Sequence, residues 1–214
     1  MVERSVPGYA AIQLLLADLA IRNASPSGVI YDLGCSTGST LQAICLRQNQ
    51  GLTLYGLDNS PAMVEKCRTK MANLATGNTI EVFCQDLGNE DVFAKRQPEV
   101  VILCLILQFI APSLRPQLLQ KIWENLPEGG VLLLVEKTQQ ENAKLDQLYN
   151  DYYHFYKREM GYSALEVSQK REALENVLIP LTPTANKELL QTAGFTTITT
   201  FFQWINFVGF LAVK

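Results

Sequence analysis

The stretch Tyr31-Asp32-Leu33-Gly34-Cys35-Ser36-Thr37-Gly38 has the residue types needed to hold a ligand's carboxylate against the main chain. Glycine lets the backbone come close to a ligand, and a helix starting just after the turn offers unpaired N–H groups. Asp58 stands 26 positions beyond Asp32, at the end of the next apolar run, where an acidic side chain can accept hydrogen bonds from both ribose hydroxyls of a nucleoside. Gln85-Asp86-Leu87 follows a third apolar run. Its carboxylate could accept from an exocyclic amino group while a backbone N–H donates to an adenine ring.

Each stretch also has an ordinary structural reading. The glycine pair could be a plain strand-to-helix turn, Asp58 a cap for the helix announced by Pro61, and Asp86 a turn residue. Asn59 or Ser60 can already cap that helix, however, and two matched signals outweigh one. Asp86 by itself would be read as a turn. The Gly34-x-x-x-Gly38 spacing lacks the G-x-G-x-x-G fingerprint of dinucleotide dehydrogenases, which leaves an NAD enzyme a distant competitor.

Positioning these loops requires a parallel sheet. Short, nearly continuous apolar runs at Val29–Asp32, Leu52–Asp58, Ile80–Cys84, Val100–Cys104 and Val131–Glu136 read as strands covered on both faces. Helices are expected between them at Tyr9–Asn23, Thr40–Gln48, Pro61–Ala75 and Leu114–Leu126, with Pro61 suited to a first helical position and Gly129-Gly130 ending the last. Asn142 to Val177 reads as mostly helical and rich in tyrosine, in the manner of an insertion or lid. A helix at Thr184–Ala193 stopped by Gly194 precedes strands at Thr196–Trp204 and Phe207–Val213, whose link of Ile205-Asn206 implies an antiparallel hairpin. The expected fold is therefore α/β and Rossmann-like: a mainly parallel seven-stranded sheet with a C-terminal antiparallel hairpin. It forms one domain over 1–214 with a helical insertion at about 142–177.

Composition narrows the function classes. With 48% hydrophobic and 18% charged residues the 214-residue chain can bury a sizeable core, and its net charge of −3 argues against gripping nucleic acid through a generally basic surface. Five cysteines without a C-x-x-C pair, and His154 as the single histidine, fit reduced thiols in a cytoplasmic protein and no metal site. His154, inside the tyrosine-rich stretch, reads as part of an aromatic cluster or of the surface before it reads as a base. No signal pattern or membrane-length apolar run is present, so neither secretion nor membrane insertion is expected.

The loop pattern with its terminal hairpin resembles the class I S-adenosyl-L-methionine (SAM) dependent methyltransferases. Narrower still, Arg4-Ser5-Val6-Pro7-Gly8-Tyr9, the glycine turn, Asp58-Asn59-Ser60-Pro61-Ala62-Met63, Leu107-Gln108-Phe109, Gly161-Tyr162-Ser163 and Ser168-Gln169-Lys170-Arg171-Glu172-Ala173-Leu174-Glu175-Asn176-Val177 are similar to the carboxy-S-adenosyl-L-methionine synthase family. The last of these is the most telling, because a generic methyltransferase has no reason to share it. The resemblance implies that SAM and prephenate become carboxy-SAM and phenylpyruvate. A methyl proton leaves the sulfonium to give an ylide, the ylide attacks carbon dioxide released from prephenate, and prephenate's own carboxylate supplies the base. It further implies a homodimer whose product a partner enzyme uses on a tRNA wobble uridine, with no direct contact to nucleic acid.

Carried over by position, Tyr9, Gly34, Cys35, Ser36, Asp58, Asn59, Asp86 and Leu87 resemble the family's ligand contacts for SAM or carboxy-SAM. Cys104 falls where the family usually has an asparagine after the fourth strand; a thiol cannot form the same pair of amide hydrogen bonds. Arg171 resembles the clamp on the new carboxylate, a role its bidentate guanidinium suits. Its ordinary reading is a solvated helix position within Lys170-Arg171-Glu172. The family also usually carries a segment ahead of Arg4. An ordinary SAM methyltransferase of unknown acceptor and a non-catalytic SAM-binding protein stay open as alternatives.

Overall fold

The computed structural model describes residues 2–88, 92–163, 165–166, 168 and 177–214. The apolar runs form β1 (Val29–Leu33), β2 (Gln50–Asp58), β3 (Gly77–Cys84), β4 (Val100–Cys104), β5 (Val131–Lys137), β6 (Thr197–Trp204) and β7 (Phe207–Val213) of one sheet in the order β3-β2-β1-β4-β5-β7-β6. β1 pairs in parallel with both β2 and β4, so the chain winds outward to β3 and then returns to the other side of β1. That reversal opens a crevice beyond the carboxyl ends of β1 and β4. β7 runs antiparallel to β6, as their two-residue link requires, and also to β5.

Successive strand residues point to opposite faces. Val131, Leu133 and Val135 of β5 enter one core layer with Ile12, Leu16 and Ala20. Leu132 and Leu134 enter the other with Leu118, Ile122 and Leu190. The first layer is covered by α2 (Tyr9–Asn23), α3 (Ser39–Cys45) and α4 (Pro61–Ala72), the second by α5 (Arg115–Asn125) and α7 (Pro183–Thr192). The short α1 (Val2–Ser5) precedes α2, and α6 (Ala143–Glu159) follows β5.

Elements agree with the sequence expectation in kind and differ at their ends. β2 and β3 start earlier than their apolar runs, because pairing continues through polar residues: Gly77 N–H donates to Asn49 O at 2.5 Å, and the Asn78 side-chain Oδ1 accepts from Leu52 N at 3.1 Å. α4 stops at Ala72 and α3 at Cys45, each a few residues short. α5 ends at Asn125, with Leu126 extended ahead of Pro127, so the proline ends this helix and Gly129-Gly130 only turns the chain into β5. Gly194, at φ +114°, closes α7 in a Schellman arrangement: its N–H donates to Gln191 O at 3.0 Å and Phe195 N–H to Leu190 O at 3.1 Å. α6 fills the first half of the expected 142–177 helical stretch, capped by Asn142, whose side chain accepts from Lys144 N and Leu145 N. Among the described residues no helix is long and apolar enough to cross a membrane.

Candidate functional site

The glycine turn folds back onto β2. Gly34 and Cys35 both donate their N–H to Leu57 O, at 2.7 and 2.9 Å, which requires φ +79° at Gly34. A Cβ there would collide with the Ile106 side chain, and a Cβ at Gly38, φ +76°, would lie 2.6 Å from Cys67 Sγ. Both glycines are thus demanded by close approach and by backbone conformation.

Asp58 ties this turn to the next element. Its Oδ2 accepts from Ser36 N at 3.0 Å and its Oδ1 from Ser60 N at 2.9 Å. Ser60 occupies the N-cap position of α4, one of the two residues the sequence offered for it, but its side chain makes no capping bond, and its own N–H is met by Asp58. A carboxylate offers about four acceptor directions, so these two bonds leave about half of its capacity unused. Asp86 Oδ1 accepts from Gly88 N at 2.7 Å, so the turn reading of that loop holds alongside any binding role.

Two cavities meet at Gly34. The larger, of about 370 Å³, is lined by Gly34, Asp58, Asn59, Asp86 and Leu87, with Ile106 and Phe109 among the apolar walls. The smaller, of about 80 Å³, is lined by Tyr9, Gly34, Cys35, Ser36 and Cys104, and also by Gln13 and Asp32. All nine residues expected to contact ligand are therefore brought to one crevice. Arg171 lies outside the described residues. His154 is half-buried with its ring 6.2 Å from that of Tyr153, and it lines neither cavity.

Several groups at the site were not singled out from sequence. Asp32, 1% exposed and next to last in β1, has an Oδ2 with no hydrogen-bond partner. Burial pushes its carboxyl up to about 7, with the charge of Asp58 adding to the shift. The signal was present: a carboxylate inside Val29-Ile30-Tyr31-Asp32-Leu33. Gln13, on the buried face of α2, donates from Nε2 to Cys104 Sγ at 3.8 Å, while its Oε1 has no partner. Burial holds the Cys104 thiol far above its usual range, and Tyr9 is raised to about 12 by burial against a hydrogen bond from Ser39.

The loop after β4 is fixed from below. Buried Glu136 accepts from Ile106 N at 3.0 Å, Leu107 N at 2.8 Å and Gln108 N at 2.9 Å. Burial pushes it up to about 8 against those three donors and the charge of Arg115. Arg115, 1% exposed, donates to Ile110 O at 2.8 Å and Ile179 O at 2.8 Å. Ile106 and Phe109 are thereby held against the larger cavity.

At the other end, Arg4 donates to Met160 O at 2.8 Å and Gly161 O at 2.5 Å and lies over the Tyr162 ring. Tyr153 Oη donates to Ser5 O at 2.8 Å. These bonds clasp the segment leading to Tyr9 against the end of α6.

This architecture recurs among solved methyltransferases. Human N-acetylserotonin methyltransferase in complex with SAM aligns with a TM-score of 0.61 at 18% identity, over 96% of this chain and 54% of that one. An O-methyltransferase family protein from Burkholderia thailandensis aligns with a TM-score of 0.70 at 16% identity, over 96% and 55%. A methyltransferase-domain family model matches residues 30–130. Sequence relationship is closer to proteins named carboxy-S-adenosyl-L-methionine synthase. That of Methylococcus capsulatus is 46% identical over the whole of this chain and 88% of its own length, and that of Wolinella succinogenes 42% identical over 100% and 88%. The chain belongs to the carboxy-S-adenosyl-L-methionine synthase family. Its seven-stranded sheet is the class I SAM methyltransferase fold, and its family is one of SAM-using transferases.

Proposed function

We propose that this chain is a carboxy-SAM synthase, converting SAM and prephenate to carboxy-SAM, phenylpyruvate and water. The observation that carries the reading is the pair of cavities that share Gly34, with a carboxylate on either side: Asp58, whose two oxygens each accept one backbone N–H and keep further acceptor capacity, in the larger, and Asp32, whose Oδ2 has no partner, in the smaller. A nucleoside linked to an amino acid through a sulfonium has this shape and charge. Its adenosine fills the larger cavity, with Asp58 on the ribose and the Asp86-Leu87 loop on the base. Its amino-acid end lies in the smaller one against the glycine turn and Tyr9. Bound there, the sulfonium supplies the acidic methyl group that takes up carbon dioxide. The chain's residues contribute orientation and exclusion of water, which suits a site whose buried thiol and phenol stay protonated. Arg171 clamps the new carboxylate. A homodimer, and delivery of the product to a separate tRNA-modifying enzyme, belong to the same reading.

Mass spectrometry of the small molecule retained through purification tests it. Carboxy-SAM is expected. Recovery of SAM or S-adenosylhomocysteine alone, after expression with prephenate available, would favour an ordinary methyltransferase, the reading that Cys104 at the end of β4 supports.

A further inference from the structure

Two acceptors without donors belong to residues that line the same small cavity. Asp32 Oδ2 and Gln13 Oε1 are each buried without a hydrogen-bond partner, and both residues line the approximately 80 Å³ space beside Tyr9 and Cys104. Gln13 is 8% exposed and lies on the face of α2 that otherwise buries Ile12, Leu16, Ala17 and Ala20. An apolar side chain would serve that core better than an amide with an orphaned carbonyl, since a buried acceptor without a donor is destabilising. The weak bond from Nε2 to Cys104 Sγ, at 3.8 Å, engages the amide end of the side chain and leaves the carbonyl oxygen as its unmet group. Two unmet acceptors around one small space call for a ligand group that is all donor. An ammonium carries three donors and no acceptor, whereas a carboxylate there would be repelled by both oxygens.

From these positions we infer that Gln13 is a ligand-binding residue, its Oε1 accepting, together with Asp32 Oδ2, from the α-ammonium of the bound amino-acid end. The role rests on the reading of the crevice as a site for SAM-type ligands. It adds to that reading a specificity contact from α2, outside the glycine turn. The carboxylate of the same amino acid faces the N–H groups of the turn, so the two charged ends are sorted by opposite surfaces. A ligand lacking the amino-acid carbons loses nothing at Gln13.

Calorimetric titration with S-adenosylhomocysteine and with 5′-methylthioadenosine, which keeps the nucleoside and the thioether but lacks the amino-acid end, tests this on the unaltered chain and on Gln13→Met. Methionine preserves length and volume while removing both polar atoms. The expected result is that Gln13→Met weakens S-adenosylhomocysteine about ten- to hundredfold, the range for a hydrogen bond to a charged group. It should leave 5′-methylthioadenosine within about twofold and the ligand-free melting temperature unchanged or raised. Equal weakening of both ligands, or a lowered melting temperature with no selective loss, would assign Gln13 a structural role and overturn the inference. Unchanged affinity for S-adenosylhomocysteine would overturn it as well, leaving only water in the cavity. If the unaltered chain binds neither ligand, the reading of the crevice itself fails, an outcome distinct from failure of Gln13 alone.

Discussion

At the scale of single residues, the proposed site rests on buried polar groups that a bound ligand would match. Asp32 is the clearest case. Its carboxyl, raised to about 7 by burial and by Asp58, stays protonated in the ligand-free chain at mildly acid pH. Because the folded value lies above the unfolded one, its contribution favours the fold at low pH and is lost as pH rises toward 7. A cationic ammonium reverses the preference by favouring the ionised form. S-adenosylhomocysteine affinity should therefore tighten up to about tenfold per unit as pH rises from roughly 5.5 to 7 and level off above. Asp32→Asn should bind weakly with a flat profile. A profile in the unaltered chain as flat as in the variant would remove Asp32 from the contact. Tyr9 and Cys104, held protonated by burial, contribute no charge over this range. Arg171→Ala should weaken carboxy-SAM about tenfold or more while leaving SAM within a few fold, since only the former carries the additional carboxylate; equal losses in a competition assay would contradict the clamp.

At the scale of elements, turns and loops hold their shapes through contacts that leave little tolerance. Gly34→Ala must accommodate a left-handed backbone and a Cβ that meets Ile106, which lines the larger cavity. The strain amounts to roughly 1–2 kcal/mol, a fall of about 2–8 °C in melting temperature for a chain of this size. S-adenosylhomocysteine affinity should drop more than tenfold, and adding Ile106→Ala should recover part of the loss of stability but not of affinity. The loop after β4 depends on Glu136, whose two oxygens serve three backbone donors. Glu136→Leu strands those N–H groups and should cost about 3 kcal/mol or more in urea denaturation; a loss below about 1 kcal/mol would mean that the loop finds other partners.

At the scale of the whole molecule, the crevice exists because the chain reverses direction across β1, so its lining joins elements distant in sequence: α2, the turn after β1, the end of β2 and the loop after β4. A ligand bridging these elements should protect the fold as a unit. S-adenosylhomocysteine at 100 times its dissociation constant should stabilise by about 2.7 kcal/mol and raise the melting temperature by roughly 5–10 °C in a single transition. A biphasic melt, with one phase insensitive to ligand, would show that the elements do not unfold together.

The sequence by itself determined the succession of elements and most of the residues that line the crevice, because apolar runs, Pro61, Gly194 and the glycine turn act through local backbone geometry and burial. Arg4-Ser5 and Gly161-Tyr162 were also legible as separate stretches. Only the tertiary structure decided that they clasp each other, that Asp58 meets the N–H groups of Ser36 and Ser60, and that Gln13 and Asp32 share one cavity. Such pairings depend on where the sheet places chain segments far apart in sequence. A glutamine on a helix face or an aspartate in a strand declares its burial only when the opposite wall is present.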